Sequence, residues 1–323
     1  MRMIIVCPAS CIVAALTAHA GAAITDFNGF KFELRNFNDY PSSLITTTSN
    51  GTTDARLVEV MNPPLTGDPQ KFANRHFAML SADGGATRLS LRNNQPFRVS
   101  YNMRLISNID VDGSGQLWNQ QPEGGLFFGN DRGGGFIDEG GIIVVGNGTV
   151  FVGGANQRFS FIGDRNNGTQ VFEKGELLYM SYSYYPPGIK GPEAAYRVVF
   201  ENVTTGFRKE VSNTFDTGGP DANGFNNGSW VGLRFQNTRN PLALPSTTHD
   251  TNYTNVQVAS CSADLNGDDV VDDNDFVIFA GAYNDLLCPT SPSPCNADLN
   301  NDTLVDDSDF VIFAGQYNDL LCP

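Results

Sequence analysis

The chain ends in two near-copies of one acidic segment, and this repeat strongly limits how the C-terminal part can fold. The first copy reads ADLNGDDVVDDNDFVIFAGAYNDLLCP from Ala263, and the second reads ADLNNDTLVDDSDFVIFAGQYNDLLCP from Ala297. Residues 261–323 contain 13 Asp and no Glu, Lys or Arg. Carboxylates at this density repel one another at close range unless a cation lies between them. The tail therefore either binds cations or remains an acidic, unfolded segment.

Aspartate and asparagine recur in each copy at positions one, three, five, nine and twelve of a twelve-residue loop. This spacing suits Ca²⁺, which takes roughly six to eight oxygen ligands, one of them the backbone carbonyl at position seven. The first predicted site consists of Asp264, Asn266, Asp268, the Val270 carbonyl, Asp272 and Asp275. The second consists of Asp298, Asn300, Asp302, the Leu304 carbonyl, Asp306 and Asp309. The expected cofactor is Ca²⁺ at two sites.

Each closing acid is followed by an apolar pattern with helical spacing. In the first copy this pattern consists of Phe276, Phe279, Ala280 and Tyr283, and the second copy repeats it. We therefore expect one helix after each loop, with the closing Asp near the helix start, where the helix dipole favours negative charge. Val271 and Val305, at position eight, are predicted to pack the two loops against one another.

A calcium loop followed by one helix, present twice and closed by Asp, resembles the type I dockerin module. The resemblance covers residues 261–323 and implies calcium-dependent docking onto a cohesin-like protein module. Position six, which favours Gly, holds Asp269 and Thr303, so we expect weaker binding at the second site. Positions ten and eleven lack the Ser/Thr pair of many cohesin-binding dockerins, which leaves the identity of the partner open. A calcium-stabilised terminal cap without a docking partner is the alternative.

The first twenty residues, MRMIIVCPASCIVAALTAHA, predict an export signal. Arg2 precedes an apolar run that extends through Leu16, and the small residues Ala18 and Ala20 flank His19. We expect cleavage after residue 20 and a secreted protein, either extracellular or on the cell surface. No later stretch approaches about 20 consecutive apolar residues, so no membrane span is expected.

The cysteines of the mature chain all lie in the repeated tail. They are Cys261, Cys288, Cys295 and Cys322. An even number of cysteines in an exported protein predicts two disulfides. The simplest of the three possible connectivities closes each repeat on itself, because both pairs are separated by 27 positions. The other two connectivities remain open.

The formal net charge of −15 arises in the tail. Residues 21–260 hold 22 acids and 19 bases, so this larger part is nearly balanced. Nucleic-acid binding requires clustered Lys and Arg to neutralise phosphates. We therefore expect no nucleic-acid partner.

Residues 21–260 are predicted to form one all-β domain. Short runs rich in Val, Ile, Tyr and Phe, such as FRVSYNMRLI, GIIVVG, ELLYMSYSYY and YRVVFENV, are separated by Gly, Asn, Asp and Pro turns. The succession of these runs resembles the concanavalin-like, or laminin-G-like, jelly-roll family, which implies an antiparallel β-sandwich. The predicted fold is mainly β with a small helical tail. The predicted domains are a signal peptide (1–20), a sandwich (21–260) and a dockerin-like tail (261–323) with repeats at 261–288 and 295–322.

The sandwich shows no catalytic signature in its sequence. A glycoside hydrolase needs two carboxylates about 5.5 Å or about 6.5–9.5 Å apart across the scissile bond. The nearest acids, Asp138, Glu139, Glu173 and Glu176, lie beside glycines and are interpreted as exposed turn acids. His76 and His249 have neither a Cys nor a suitably spaced acid near them, so zinc or nucleophilic chemistry is not predicted.

Two further motifs are weighed as binding candidates. DVDGSGQLW, from Asp110, begins like a third calcium loop, but its twelfth position is Gln121, so we interpret it as a plain turn. Trp118 lies in a polar stretch and is a candidate for stacking on a sugar ring, whereas Trp230 is expected in the core.

These features predict a secreted calcium-binding protein whose tail docks it to an extracellular or cell-surface partner. The sandwich is predicted to be non-catalytic and to bind carbohydrate, with polysaccharide as its ligand. Two alternatives remain: a polysaccharide hydrolase or lyase with a docking tail, and a structural surface protein.

Overall fold

A computed structural model describes residues 27–61, 73–91, 95–108, 122–131, 137–154, 157–164, 167–215, 224–226, 228–238, 247–259, 262–266, 270–285, 297–299 and 304–319. The export signal, the four tail cysteines and the DVDGSGQLW motif with Trp118 lie outside these residues. No helix in the described part of the chain is long and apolar enough to cross a membrane.

The described residues between Phe27 and Ala259 form fourteen strands. They are β1 (Phe30–Asn38), β2 (Leu44–Asn50), β3 (Asp54–Met61), β4 (Ala73–Leu80), β5 (Phe97–Ser107), β6 (Glu123–Asn130), β7 (Ile137–Val145), β8 (Thr149–Gly153), β9 (Ser160–Gly163), β10 (Leu178–Tyr185), β11 (Ala195–Asn202), β12 (Phe207–Thr214), β13 (Trp230–Thr238) and β14 (Thr247–Ala259).

The strands form two seven-stranded sheets. The first has the order β1-β4-β13-β6-β7-β8-β9, and the second has the order β12-β11-β10-β5-β14-β3-β2. Every pairing of neighbouring strands is antiparallel. The predicted jelly-roll sandwich is thus confirmed at the level of its two antiparallel sheets.

The core lies between the sheets because the strands alternate apolar and polar residues. In β5, the buried residues are Phe97, Val99, Tyr101, Met103 and Leu105. Their neighbours Arg98 and Arg104 turn away from the core, as the two-residue period of a strand requires. From the first sheet, Phe128 meets Tyr182 of the second with ring centroids 4.8 Å apart. Each fully buried large apolar side chain contributes roughly 1.5–3 kcal/mol to folding.

The outer strands of the two sheets meet along one side of the sandwich. Lys209 of β12 donates from Nζ to the carbonyls of Phe161 (3.0 Å) and Ile162 (2.8 Å) in β9. Asn213 of β12 donates to the hydroxyl of Ser160, also in β9. These bonds occupy backbone acceptors of an edge strand that would otherwise be open to pairing with another chain.

The tail contains the two predicted helices, α1 (Asp273–Asp285) and α2 (Asp307–Asp319). Each begins two residues before the closing acid of its loop, which was expected at the helix start. Phe279 and Phe313 stack with centroids 4.9 Å apart in a small core that includes Val271 and Val305, which confirms the predicted packing of the two loops. Phe276 was expected on the same buried stripe but is 44% exposed.

Candidate functional site

The acids that close the two loops are the most deeply buried charged groups of the tail. Asp275 and Asp309 have no exposed surface. Asp275 accepts hydrogen bonds from the backbone amides of Asn266 (2.9 Å) and Asp272 (3.0 Å). Asp309 accepts from Leu299 (2.7 Å) and from Asp306 (3.0 Å) in the second copy. Each closing acid therefore joins the beginning of its loop to the end.

The acids at loop position nine act as helix caps. The Oδ1 atom of Asp272 accepts from the amide of Asn274, and that of Asp306 accepts from the amide of Ser308, both at 2.8 Å. An aspartate directly before a helix accepts from a backbone amide that has no partner within the helix. This capping explains why both helices begin at position ten.

The two repeats are also joined by reciprocal hydrogen bonds between side chains. The hydroxyl of Tyr283 donates to Asp307, and the hydroxyl of Tyr317 donates to Asp273, both at 2.5 Å. The phenol groups thus reach position ten of the opposite loop. The tail is a nearly symmetric pair of loop-helix units.

Nine of the twelve predicted calcium ligands are within the described residues, and Asp268, Asn300 and Asp302 are not. Asp264, at the first position of its loop, is 1% exposed. Within the described part of the chain, no group of three or more His, Cys, Asp or Glu side chains is arranged to hold a metal ion. The available donors are carboxylate, amide and carbonyl oxygens, the type that Ca²⁺ prefers.

Of the four acids interpreted as exposed turn acids, three are placed here, and the side chain of Asp138 lies outside the described part of the structure. Glu173 and Glu176 lie in a turn between β9 and β10, as expected. The interpretation of Glu139 as an exposed acid was wrong, because this residue is fully buried on β7. Its Oε1 atom accepts from the side-chain amides of Asn130 (2.5 Å) and Asn226 (2.6 Å).

Both histidines, which appear isolated in the sequence, meet a single glutamate between the two sheets. His249 pairs with Glu59 in the register of β14 and β3, and Nε2 of His76 lies 3.2 Å from Glu59 Oε1. All three side chains have no exposed surface. Glu59 also accepts from Ser43 (2.5 Å) and Asn74 (2.7 Å). The only sequence signal was an acid at a core-facing position of the alternating run DARLVEVM.

The protonation of this cluster follows from its contacts. Burial alone would raise the pKa of Glu59, but the contacts with His76, Asn74 and Ser43 outweigh burial and hold its pKa below the ordinary value. Burial lowers the pKa of His249 to about 3, so this imidazole is neutral near pH 7. A closed, solvent-free cluster of this kind organises the interior rather than meeting a substrate.

The outer face of the first sheet, which is turned away from the second sheet, carries a second apolar cluster. It consists of Phe77, Met79, Phe127 and Trp230. Trp230 is buried, as predicted, but lies in this cluster and not between the sheets. Arg88 lies 5.2 Å from the Trp230 ring centroid and pairs with Glu33 and Asp131. Arg234 pairs with Glu123 on the same face. Carboxylates already balance both of these cations.

Comparison with known proteins gives similarity only to solved structures. No family model matches the chain, and no curated protein matches it. Alginate lyase A1-II', of polysaccharide lyase family 7, is 10% identical, with 73% of this chain and 97% of that chain covered and a TM-score of 0.41. A Lotus tetragonolobus seed lectin is 13% identical, with 71% and 98% covered and a TM-score of 0.36.

A third similar structure, the PL-14 alginate lyase from Aplysia kurodai, is 8% identical, with 68% and 91% covered and a TM-score of 0.34. These similarities concern the sandwich fold. No catalytic or sugar-contacting residue is transferred from these proteins to this chain. The dockerin resemblance of the tail stays a prediction.

Proposed function

We propose that this protein is exported and that residues 261–323 form a calcium-dependent module that docks its β-sandwich to an extracellular or cell-surface protein. One observation carries this proposal. Asp275 has no exposed surface, and residues 261–323 contain 13 Asp and no Lys or Arg. Carboxylates at this density repel one another at close range, so a bound cation would stabilise the tail.

The donor set favours Ca²⁺ among the available cations. It offers hard oxygen ligands and no thiol or imidazole in either loop. Asp264, Asp272 and Asp275 would supply carboxylates to the first ion, and Asp298, Asp306 and Asp309 would supply them to the second. Bound Ca²⁺ would supply the positive charge that holds each loop closed.

The docking part of the proposal rests on equivalent apolar side chains exposed by both helices. Val277 is 69% exposed and Val311 is 70% exposed, while Phe276 and Phe310 are each 44% exposed. Large apolar side chains grouped on a small acidic module are typical of a protein contact surface. The partner class proposed from the resemblance is a cohesin-like module.

A binding assay on the full chain tests this function. We expect binding to immobilised cohesin modules in Ca²⁺, loss of binding in EGTA, and weaker binding when Val277→Asp and Val311→Asp are combined. Leu44→Asp, which changes an equally exposed apolar side chain of the sandwich, is the control and should leave docking unchanged. Calcium binding without any cohesin binding would favour the terminal-cap alternative.

The second proposed function is carbohydrate binding by the sandwich without catalysis. It is supported by an open cavity with aromatic and carboxylate walls at one end of the second sheet. The enzyme alternative has less support, because the histidines and Glu59 are enclosed between the sheets. Release of reducing sugar from a polysaccharide by the full chain would favour the enzyme.

A further inference from the structure

A cavity of about 280 Å³ lies where the turn before β10 meets the hairpin between β11 and β12. The turn contributes residues 170–173 and Glu176, and the hairpin contributes Asn202, Thr205 and Phe207. The cavity opens to solvent at the end of the sandwich, where loops are held by a rigid scaffold. Binding residues in proteins are concentrated on such loops.

The walls of this cavity are fixed by hydrogen bonds within the chain. Asn202, only 1% exposed, donates to the Val171 carbonyl (3.1 Å) and to Glu176 Oε2 (2.7 Å). The same Glu176 oxygen accepts from the amide of Glu173 (2.7 Å). Gln170 donates to Glu173 Oε1 (2.5 Å). The two carboxylates are therefore held in place before any ligand arrives.

Each carboxylate retains one oxygen for a ligand. Glu173 Oε2 and Glu176 Oε1 accept no hydrogen bond from any other residue in the described part of the chain. Carboxylate oxygens are strong acceptors and suit the hydroxyl donors of a ligand. Both residues line the cavity, so each brings to it a carboxylate with one such oxygen.

The other residues that line the cavity are uncharged, and two of them are aromatic. The Phe207 ring is 41% exposed at the rim, and Phe172 lies deeper, at 3% exposure. Among the described residues, none of those lining the cavity is Lys, Arg or His. A phosphate, a sulfate or a uronate would therefore meet two carboxylates without a compensating cation, which disfavours anionic ligands. A neutral ring with hydroxyl donors on one side and C–H groups on another fits this lining.

We propose that this cavity binds a single residue of a neutral glycan, with Glu173 and Glu176 accepting from its hydroxyls and Phe207 packing against its C–H face. The inference rests on the proposed carbohydrate binding and specifies its site and its ligand class. The volume lies just below the range for small-molecule sites, roughly 300–1,000 Å³, which suits one sugar ring and not a longer ligand.

The test compares binding of neutral and uronate-containing oligosaccharides to the full chain by calorimetry. We expect binding of a neutral oligosaccharide and about tenfold weaker binding in Glu173→Gln and in Phe207→Ala, equivalent to about 1.4 kcal/mol each. Glu173→Gln retains the acceptor for Gln170 and removes only the second carboxylate oxygen. Phe161→Ala is the matched control, because this ring is 40% exposed on an edge strand of the other sheet.

Five outcomes would overturn the inference. Equal weakening by Phe161→Ala, or unchanged binding in both cavity variants, would place the sugar elsewhere while leaving carbohydrate binding intact. Preference for uronate oligosaccharides would contradict the ligand class, and sugar release that Glu173→Gln abolishes would make the cavity catalytic. No binding of any oligosaccharide would refute both this inference and the proposed carbohydrate binding, while docking by the tail would be unaffected.

Discussion

At the scale of single residues, the interior of the sandwich contains a polar network around the buried side chains of Glu59, His76 and His249. The backbone amide of Arg35 donates to Nδ1 of His76 at 2.8 Å, so this nitrogen is an acceptor and the ring proton lies on Nε2, toward Glu59. Arg35 itself has a positive φ of 57° in β1. The network therefore ties an irregular point of one sheet to a buried carboxylate of the other.

His249 makes the stability of this network depend on pH. Its folded-state pKa of about 3 lies below the ordinary value of 6.5, so the unfolded chain takes up the proton first. The contribution of neutral His249 to the stability of the folded state is complete above about pH 6.5 and is lost as the pH falls toward 3. We predict that the free energy of unfolding drops by about 1 to 2 kcal/mol between pH 6.5 and pH 5.

Chemical denaturation across this pH interval, compared with His249→Phe, checks the prediction. Phe removes the titrating group and retains an aromatic ring stacked on Phe235, whose centroid lies 4.0 Å from that of His249. The variant should show a flatter pH profile. Measurement above pH 5 avoids the carboxylate of Glu59, whose lowered pKa affects stability only in more acidic solution. Equal slopes in the two proteins would show that His249 is not the source.

The sequence did not reveal residue contacts that depend on pairing between distant strands. Glu139 precedes Gly140 and Gly141, which predicted a turn, yet these glycines lie within β7. An irregular register beside Gly140 turns the Glu139 side chain inward, toward Asn130. The meeting of His76 and His249 with Glu59 likewise depends on which strands face one another, which the alternation of apolar residues does not specify.

At the scale of elements, β6 and β7 approach one another more closely than side chains allow. A Cβ atom on Gly125 would lie 2.0 Å from the Ile142 carbonyl oxygen, and one on Gly141 would lie 2.0 Å from that of Leu126. Both glycines also have positive φ, at 127° and 154°. These two positions therefore require glycine for spatial and for conformational reasons.

We predict that Gly125→Ala destabilises the protein by on the order of 3 kcal/mol or more, because the strand pair must separate in addition to adopting a strained backbone. Gly168→Ala is the matched control, since its φ is 72° and no atom lies within 4 Å of the added carbon. The control substitution should lower the free energy of unfolding by only about 1 to 2 kcal/mol. Thermal unfolding of both variants measures how much stability each one loses. Equal losses would show that small local shifts of the strands make room for the added carbon at Gly125.

The elements themselves were largely predictable. The runs with period two became strands, and the apolar residues after each loop became helices. The helix starts were misplaced by two residues, because Asp272 and Asp306 cap the helices in addition to their predicted role as ligands. The exposure of Phe276 reflects packing between the two repeats, which only the paired arrangement determines.

At the scale of the whole molecule, the sandwich and the tail differ in how their charges are balanced. The sandwich balances its charges with ion pairs, such as Arg56 with Asp250 and Arg197 with Glu210. The tail has no basic side chain and buries three aspartates. Ion pairs of this kind supply counter-charges within the sandwich, whereas we propose that the tail obtains its counter-charge from solution. The stability of the tail would then depend on the calcium concentration, and the stability of the sandwich would not.

The most direct test of this account is the calcium stoichiometry of the full chain, measured by calorimetry. We predict two Ca²⁺ ions per chain, with the second site weaker because Thr303 occupies its sixth loop position. Asp275→Asn should remove the tighter ion and Asp309→Asn the weaker one, while Asp250→Asn in the sandwich should remove neither. Absence of calcium binding, or retention of both ions when Asp275→Asn and Asp309→Asn are combined, would contradict the account.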